Sequence, residues 1–340
     1  MRERKIPEPK PLFIERMKKL LSEKEDRENY WEISKSEPLN SIRVNTLKIE
    51  PEILKEKLEK MGWKLAQPWE KFPEILIVEG KIPTGKEKEI LVETNLAKLE
   101  PGELGRTLEH LLGYYYIQEL SSMLPVIALN PKEGEFYLDV CASPGSKTTQ
   151  AGTFMNNAGT IIANEISLGR MRILASNLER CGVTNTILTK KDGRDLCKKF
   201  IEKNFMFDKI LVDAPCSGEG TLRSSPKTYI MWNQKTIQSL SKLQKQLVKN
   251  AFLSLKIDGE LVYSTCTHAP EENEEVVDFL LNEFKEKIEI VKFKLPLKTR
   301  EGLTEWNEKK FSEKVKLTKR IYPQDNNTEG FFVAKFRRVK

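Results

Sequence analysis

The sequence predicts an α/β fold: a doubly wound, mostly parallel sheet with a small α+β module at its N-terminus. Three observations predict it. From residue 136 onward, short runs rich in β-branched and aromatic residues alternate with segments of helical length, the rhythm of successive βαβ units. Each of these strands ends in a loop of small or polar residues, the place where open parallel sheets hold ligands. The chain, at 340 residues with 39% hydrophobic and 31% charged side chains, is long enough to bury a core and still carry an appendage.

Taken in order, residues 1–35 are charged with a helical pattern (FIERMKKLLSEKE). Residues 41–47 (SIRVNTL) read as a strand by their β-branched alternation. Pro51 opens a helix, LKEKLEKMGW, that Gly62 stops. Another strand is expected near 75–78, and 80–105 is rich in turn formers. A module with this rhythm suits RNA; it equally suits a cap on the larger domain. The division expected is 1–110 for this N-terminal module and 111–340 for the α/β domain.

Within the α/β domain, strand FYLDV (136–140) runs into the small-residue turn CASPGSK and a helix, TTQAGTFM. TIIANE (160–165) precedes a helix over 168–180 that Gly182 stops. NTILTKKD (185–192) leads to the helix DLCKKFIEK, and FDKILVDAP (207–215) to a long helix, TIQSLSKLQKQLVKNAFLSL. GELVYSTC (259–266) is the last of these strands, and Pro270 opens an acidic amphipathic helix, EENEEVVDFLLNEF.

Composition narrows the function classes. No apolar run reaches the eighteen residues of a membrane span, and the charged, Pro-bearing start MRERKIPEPKPLF is unlike a secretory signal. Five scattered cysteines without CxxC spacing point to neither a disulfide scaffold nor zinc, so no metal is expected, and a reducing cytoplasmic setting is. Two histidines leave little room for histidine-based catalysis. The net charge is +7, and the stretch from Arg223 to Asn250 holds one Arg and five Lys with no acid. A positive surface of this kind attracts phosphates, although a solvated lysine face has the same composition. Arg223 and Lys227, next to the chemistry described below, are the expected RNA-phosphate contacts. Lys242, Lys245 and Lys249 share a helix face and serve either RNA or solubility.

The loop after the first α/β strand carries Asp139 and then Cys141 through Thr149. Its small residues let backbone approach a ligand at a helix N-terminus. The spacing fits neither a Walker loop nor GxGxxG, so a nucleoside triphosphate or dinucleotide is not expected. Glu165 ends the second strand, placed for ribose hydroxyls, and Asp192 ends the third, placed for an adenine amino group. Each acid alone is as well read as a helix cap. Together they fit an adenosine ligand lacking a pyrophosphate, such as S-adenosylmethionine.

Two further strand ends carry cysteines in polar loops, DAPCSGEGT with Cys216 and STCTHAPEENE with Cys266. Cys181 and Cys197 lie in helical runs and read as small hydrophobes. A thiolate at a functional edge suits methylation of cytosine at carbon 5, itself a poor nucleophile. Addition of a thiolate at carbon 6 makes carbon 5 enamine-like, able to take a sulfonium methyl; loss of the carbon-5 proton then expels the thiolate. An acid near ring N3 would stabilise the adduct, and Asp213 is the nearest strong candidate. The base must leave its stack to be reached. At this level either cysteine can be the nucleophile.

These loops resemble those of the Sun (NSUN) family of RNA cytosine-5 methyltransferases. The likeness runs from about residue 118 to the C-terminus and rests on QELSSM, DVCASPGSKTTQ, ANEISLGR, DGRD, DAPCSGEGT, YSTCT with PEENE, and RIYPQDNNTEGFF. SIRVNTL resembles the family's RNA-binding extension more weakly. The resemblance implies a Rossmann-like methyltransferase fold and S-adenosylmethionine as cofactor. It also implies RNA as partner and a covalent cysteine adduct. It makes Cys266 the nucleophile, gives Cys216 a part in releasing the adduct, and makes Lys147 and Asp213 essential. Glu165, Arg170, Asp192 and Asp213 become cofactor contacts, together with the backbone of Cys141, Ala142, Ser143, Pro144, Gly145, Ser146 and Lys147. Where the family pattern has a glycine pair, a Pro-His and Gly-Gly-Phe-Phe, this chain has Gly145-Ser146, Pro323-Gln324 and Glu329-Gly330-Phe331-Phe332. No histidine role carries over to that last motif. With no further RNA-binding domain expected after Lys340, the chain resembles the compact, tRNA-type members. Ribosomal RNA stays open, and a monomer is expected. Two rivals remain: a non-catalytic RNA-binding ribosome-assembly factor on the same fold, and a DNA cytosine methyltransferase, which uses the PC cysteine. The presence of both cysteines, Lys147 and Asp213 opposes the first; the STC cysteine opposes the second.

Overall fold

A computed structural model describes residues 6–82 and 96–340; part of the turn-rich stretch expected at 80–105 lies outside them. Two helices open the chain, α1 (Pro11–Leu20) and α2 (Lys24–Ser34). Pro11 sits in the first turn of α1, where its missing N–H costs nothing, and Lys18 and Lys19 in the last turn complement the helix dipole. A small antiparallel sheet follows: β1 (Asn40–Val44), α3 (Pro51–Lys60), β2 (Trp63–Ala66) and β3 (Ile75–Lys81). After a short helix α4 (Leu108–Leu111), β4 (Tyr115–Ile117) completes it in the order β2-β3-β1-β4. α3 covers one face through Leu54 and Leu58, which pack on Ile42, Val44, Trp63 and Tyr115.

The small sheet therefore takes its fourth strand from beyond the boundary expected at residue 110. The opening helices lie elsewhere. Phe13, Met17 and Tyr30 form a separate cluster with Tyr229, Trp232 and Tyr322 of the larger domain. Phe13 stands edge-on to Trp232 at 5.4 Å. Local periodicity predicts the helices but not what they pack on.

The larger domain begins with α5 (Leu120–Leu129), whose N-terminal amides at Ser121 and Ser122 are capped by the Glu119 carboxylate. Five βα steps follow: β5 (Phe136–Asp139), α6 (Ser146–Phe154), β6 (Thr160–Asn164), α7 (Leu168–Cys181), β7 (Thr186–Thr189), α8 (Gly193–Glu202), β8 (Phe207–Asp213), α9 (Thr228–Met231), α10 (Gln234–Leu253), β9 (Leu255–Thr265) and α11 (Glu274–Phe284). The five strands lie parallel in the order β7-β6-β5-β8-β9. The order reverses between β5 and β8, which places the ligand crevice beyond their carboxyl ends. Leu138, Val140, Ile210, Val212 and Tyr263 face one core layer, and Tyr137, Ile161, Ala163, Leu211 and Val262 face the other, as period-2 alternation requires.

The C-terminal segment adds strands that sequence periodicity did not show: β10 (Ile288–Ile290), β11 (Arg300–Glu301), β12 (Glu305–Trp306), β13 (Lys309–Lys310), β14 (Lys319–Ile321) and, after α12 (Pro323–Asn326), β15 (Phe331–Arg338). β15 runs antiparallel to β9 and turns the sheet into a mixed one. Its register sets Phe332 opposite Thr265, so Phe331 and Gly330 lie beside the Cys266 loop. The acidic helix also starts later than the sequence suggests. Asn273 is kept out of it by bonds to Thr265 Oγ1 at 2.6 Å and Thr267 O at 2.9 Å, and these hold the loop in place. No helix among the described residues is long and apolar enough to cross a membrane.

Candidate active site

Two cavities open at the carboxyl ends of the parallel strands. The smaller, about 290 Å³, is bordered by Cys141, Ser143, Glu165, Arg170, Asp192 and Asp213, with Ile166, Leu243 and Leu247 as apolar walls. The larger, about 570 Å³, opens between the small sheet and the main domain and reaches Ser122, Lys147 and Phe331. Asp213, Ala214 and Cys266 border both.

The smaller cavity suits an adenosine ligand. Gly145 caps α6 at φ +105°, and a Cβ there would meet Leu174 Cδ1 at 2.9 Å, so both backbone and packing need glycine. Gly193 is similarly restricted, since a Cβ would lie 2.6 Å from Val140 Cγ1. Glu165 accepts the Ser167 amide at 2.9 Å and lies 3.4 Å from an Arg170 guanidinium nitrogen. Arg170 in turn donates to Ser143 O at 2.8 Å and so fixes the glycine loop. Asp192 caps α8 at the Arg194 amide and is bound by the Arg194 side chain at 2.6 Å, which holds its carboxyl below the ordinary aspartate range. Asp192 is thus a helix cap that also borders the cavity. The rest of the loop divides its work. Ala142 packs in the core, while Pro144 and Ser146 face the larger cavity with Lys147.

Where the cavities meet, Lys147 Nζ lies 2.8 Å from Asp213 Oδ2, and Ser264 Oγ donates to Asp213 Oδ1 at 2.7 Å. Lys147 also donates to Ser122 Oγ at 3.0 Å and lies over the Phe331 ring at 5.3 Å. The parallel register pairs Asp213 with Ser264 directly. Ser122, Ser264 and Phe331 are site residues that sequence reasoning missed. QELSSM was the available signal for Ser122, although nothing local shows that it reaches Lys147. Nearby, burial pushes Asp139 up to about 7 against the opposing Thr148 hydrogen bond at 2.8 Å.

The two cysteine loops are tied together. The Sγ atoms of Cys216 and Cys266 lie 2.8 Å apart, and both thiols are free. Cys266 N donates to Cys216 Sγ at 3.3 Å, Gly220 N to Cys266 O at 2.9 Å, and Ser217 and Thr267 share a hydroxyl bond at 2.8 Å. Beneath them, buried Glu219 accepts from Trp232 Nε1 at 2.7 Å, and Glu272 accepts from Ser217 N and Gln244 Nε2 at 3.1 and 2.8 Å. The hydrogen bond to Cys266, and then burial, hold the Cys216 thiol well above the ordinary cysteine range. Of the two thiols, Cys216 is therefore the one held in its protonated form. His268 is fully buried and stacked on Tyr322 at 4.7 Å, with its pKa pushed down to about 3 by burial; it is a neutral packing residue.

One expectation is corrected. Arg223 is 1% exposed. It donates to Thr328 O at 2.8 Å and to Glu37 O and Asn327 Oδ1 at 2.7 Å, clamping three chain segments. A guanidinium satisfied in this way is not left to hold a phosphate. Lys227 is exposed. Lys245 and Lys249 pair with Glu275 and Glu283 of α11, so those two hold helix to helix and are not an open RNA surface. Among the described residues no cluster of His, Cys, Asp and Glu could hold a metal ion.

The family model for the 16S rRNA methyltransferase RsmB/F matches residues 126–337. The chain is 41% identical to the tRNA (cytosine(49)-C(5))-methyltransferase of Pyrococcus abyssi over 96% of both proteins. It is 38% identical to ribosomal RNA small subunit methyltransferase F of Vibrio campbellii over 98% of its own length, spanning 63% of that protein. Among solved structures, a methyltransferase homolog from Pyrococcus horikoshii superposes with a TM-score of 0.78 at 34% identity, covering 96% of this chain and 94% of that one. NSun6 from the same organism gives 0.76 at 27%, covering 96% and 97%.

Proposed function

The chain belongs to the RsmB/F, or Sun, family of S-adenosylmethionine-dependent RNA cytosine-5 methyltransferases, and on that footing we propose which residues carry the reaction and which RNA it modifies. The observation that carries the reading is the wall common to both cavities, formed by Asp213 and Cys266. S-adenosylmethionine, which Glu165, Asp192, Cys141 and Ser143 would hold in the smaller cavity, would supply an electrophilic methyl group. The target cytosine enters the larger cavity. Cys266 adds to carbon 6, and the Lys147–Asp213 pair delivers a proton to N3, leaving carbon 5 electron-rich at the junction. Once Cys266 is bonded to carbon 6, Cys216 gives its own proton to solvent and then takes the carbon-5 proton as the thioether bond breaks, while N3 returns its proton to the Lys147–Asp213 pair. Ser122, Ser264 and the loop network hold these groups in place before substrate arrives, so little reorganisation accompanies the reaction.

The RNA we propose is tRNA. The support is that likeness to the Pyrococcus abyssi tRNA enzyme runs the length of both chains, whereas the ribosomal RNA relative is spanned only in part. Incubating the protein with S-adenosylmethionine and either tRNA or 16S rRNA transcripts, then mapping 5-methylcytosine, tests this. Modification of 16S rRNA alone would replace tRNA by rRNA.

Replacing Glu165 or Asp192 by alanine should weaken S-adenosylmethionine binding. Each removes a charge-assisted hydrogen bond of about 1.5–3 kcal/mol, roughly tenfold to a hundredfold in affinity. The larger loss is expected at Glu165, 3% exposed against 23% for Asp192, because solvent compensates less there. Calorimetry finding wild-type affinity in both variants would remove these acids from the cofactor site.

Lys227→Ala should weaken tRNA binding and flatten the salt dependence of affinity by about 0.7 in log–log slope, one phosphate contact on a single strand. Arg223→Ala should instead lower the melting temperature, because it leaves buried carbonyls unpaired. A variant of Lys227 with an unaltered salt slope would route the RNA elsewhere.

A further inference from the structure

Four carboxylates border the larger cavity: Glu37, Glu119, Asp213 and Glu329. Asp213 accepts from Lys147 and Ser264. Glu119 accepts from the amides of Ser121, Ser122 and Glu329. Glu329 is differently placed. Its Oε1 accepts the Ser224 amide at 2.8 Å, while Oε2 is buried without a hydrogen-bond partner in a residue only 4% exposed.

Its position is fixed by backbone. Gly330 N donates to Gly220 O at 2.8 Å, and Gly220 N donates to Cys266 O at 2.9 Å. A Cβ on Gly330 would lie 2.9 Å from Gly220 Cα, so the two backbone segments touch. Glu329 thus stands one chain's width from the Cys266 loop, on the wall that a base must face. A buried carboxylate oxygen with no donor is costly. Placed at a ligand cavity, it calls for a donor on the ligand. A phosphate carries none and would be repelled. Cytosine carries one on its ring edge, the 4-amino group; uracil presents an acceptor, O4, at that position.

We propose that Glu329 is a specificity-determining residue that accepts a hydrogen bond from the 4-amino group of the target cytosine and so excludes uracil. The proposal rests on the functional reading above. Burial raises the Glu329 carboxyl to about 7, with the Ser224 hydrogen bond and Arg223 opposing; an amino donor favours its ionised form in the same direction as those two. Discrimination of this kind is strong because the wrong base leaves the buried acceptor unpaired.

The test uses the full-length enzyme and a tRNA transcript that it methylates. The target base is cytosine, uracil or 2-pyrimidinone, the last lacking the amino group. Single-turnover methyl transfer is measured for wild type, Glu329→Ala and Glu329→Gln, with cofactor affinity and melting temperature as controls. Removing the amino group should slow the wild type about tenfold to a hundredfold. Glu329→Ala should lose about as much on cytosine and be indifferent to the amino group. Glu329→Gln, which keeps the shape and can donate to O4, should narrow the preference for cytosine over uracil. Undiminished dependence on the amino group in both variants overturns the proposal. So does a coupling of Glu329 to the 2′-hydroxyl of the target nucleotide in its place. A wild type that methylates no RNA cytosine would instead overturn the functional reading.

Discussion

An enzyme with Cys266 replaced by alanine should transfer no measurable methyl group to RNA while keeping its affinity for S-adenosylmethionine. Carbon 5 of cytosine cannot attack a sulfonium methyl until carbon 6 has been attacked, so removing the attacking sulfur removes the route and does not merely slow it. The fall should be at least about 10⁴-fold, or about 5.5 kcal/mol of barrier. The environment of Cys216 supports the assignment of attack to Cys266 that the family resemblance implied. Cys216 keeps its proton because of the Cys266 hydrogen bond and burial, and a protonated thiol is the weaker nucleophile. Counting labelled methyl groups in RNA checks this. Turnover within tenfold of the wild type in Cys266→Ala, with loss of turnover in Cys216→Ala, would exchange the roles.

What was legible in the sequence follows from range. The five parallel strands and their loops were readable because each βα step is local and each loop keeps its small and acidic residues within ten positions. β15 was not readable, since it pairs with β9 across about seventy residues and its register cannot be inferred from period-2 alternation alone. The same limit explains Arg223. Its place in an acid-free stretch suggested phosphate, but its acceptors at Glu37, Asn327 and Thr328 are more than a hundred residues away. Lys245 and Lys249 find their acids some thirty residues on, across α10 and α11. Glu329 stood out only as a departure from a motif; that one of its oxygens is buried without a donor is a property of the assembled cleft.

Replacing Cys216 by alanine should produce a different failure: a covalent enzyme–RNA complex that survives denaturation. Addition by Cys266 and methyl transfer do not need the second sulfur. Release does, because the carbon-5 proton must go to a base before the ring can expel the thiolate. The 2.8 Å contact between the sulfurs explains the timing. In the free enzyme the hydrogen bond to Cys266 helps hold the proton on Cys216. Once Cys266 is bonded to carbon 6, that bond no longer holds the proton, and Cys216 can release it to solvent and stand as the thiolate just when a base is required. The remaining ties, from Gly220 and Ser217 to the facing loop, hold it within reach. The variant should therefore complete about one methyl transfer per enzyme and stop, with labelled RNA migrating alongside protein on a denaturing gel. Adding Cys266→Ala to the same chain should abolish that band. Multiple turnovers by Cys216→Ala without a trapped species would mean that another group takes the proton, and the neighbouring Asp213 would be the first to examine.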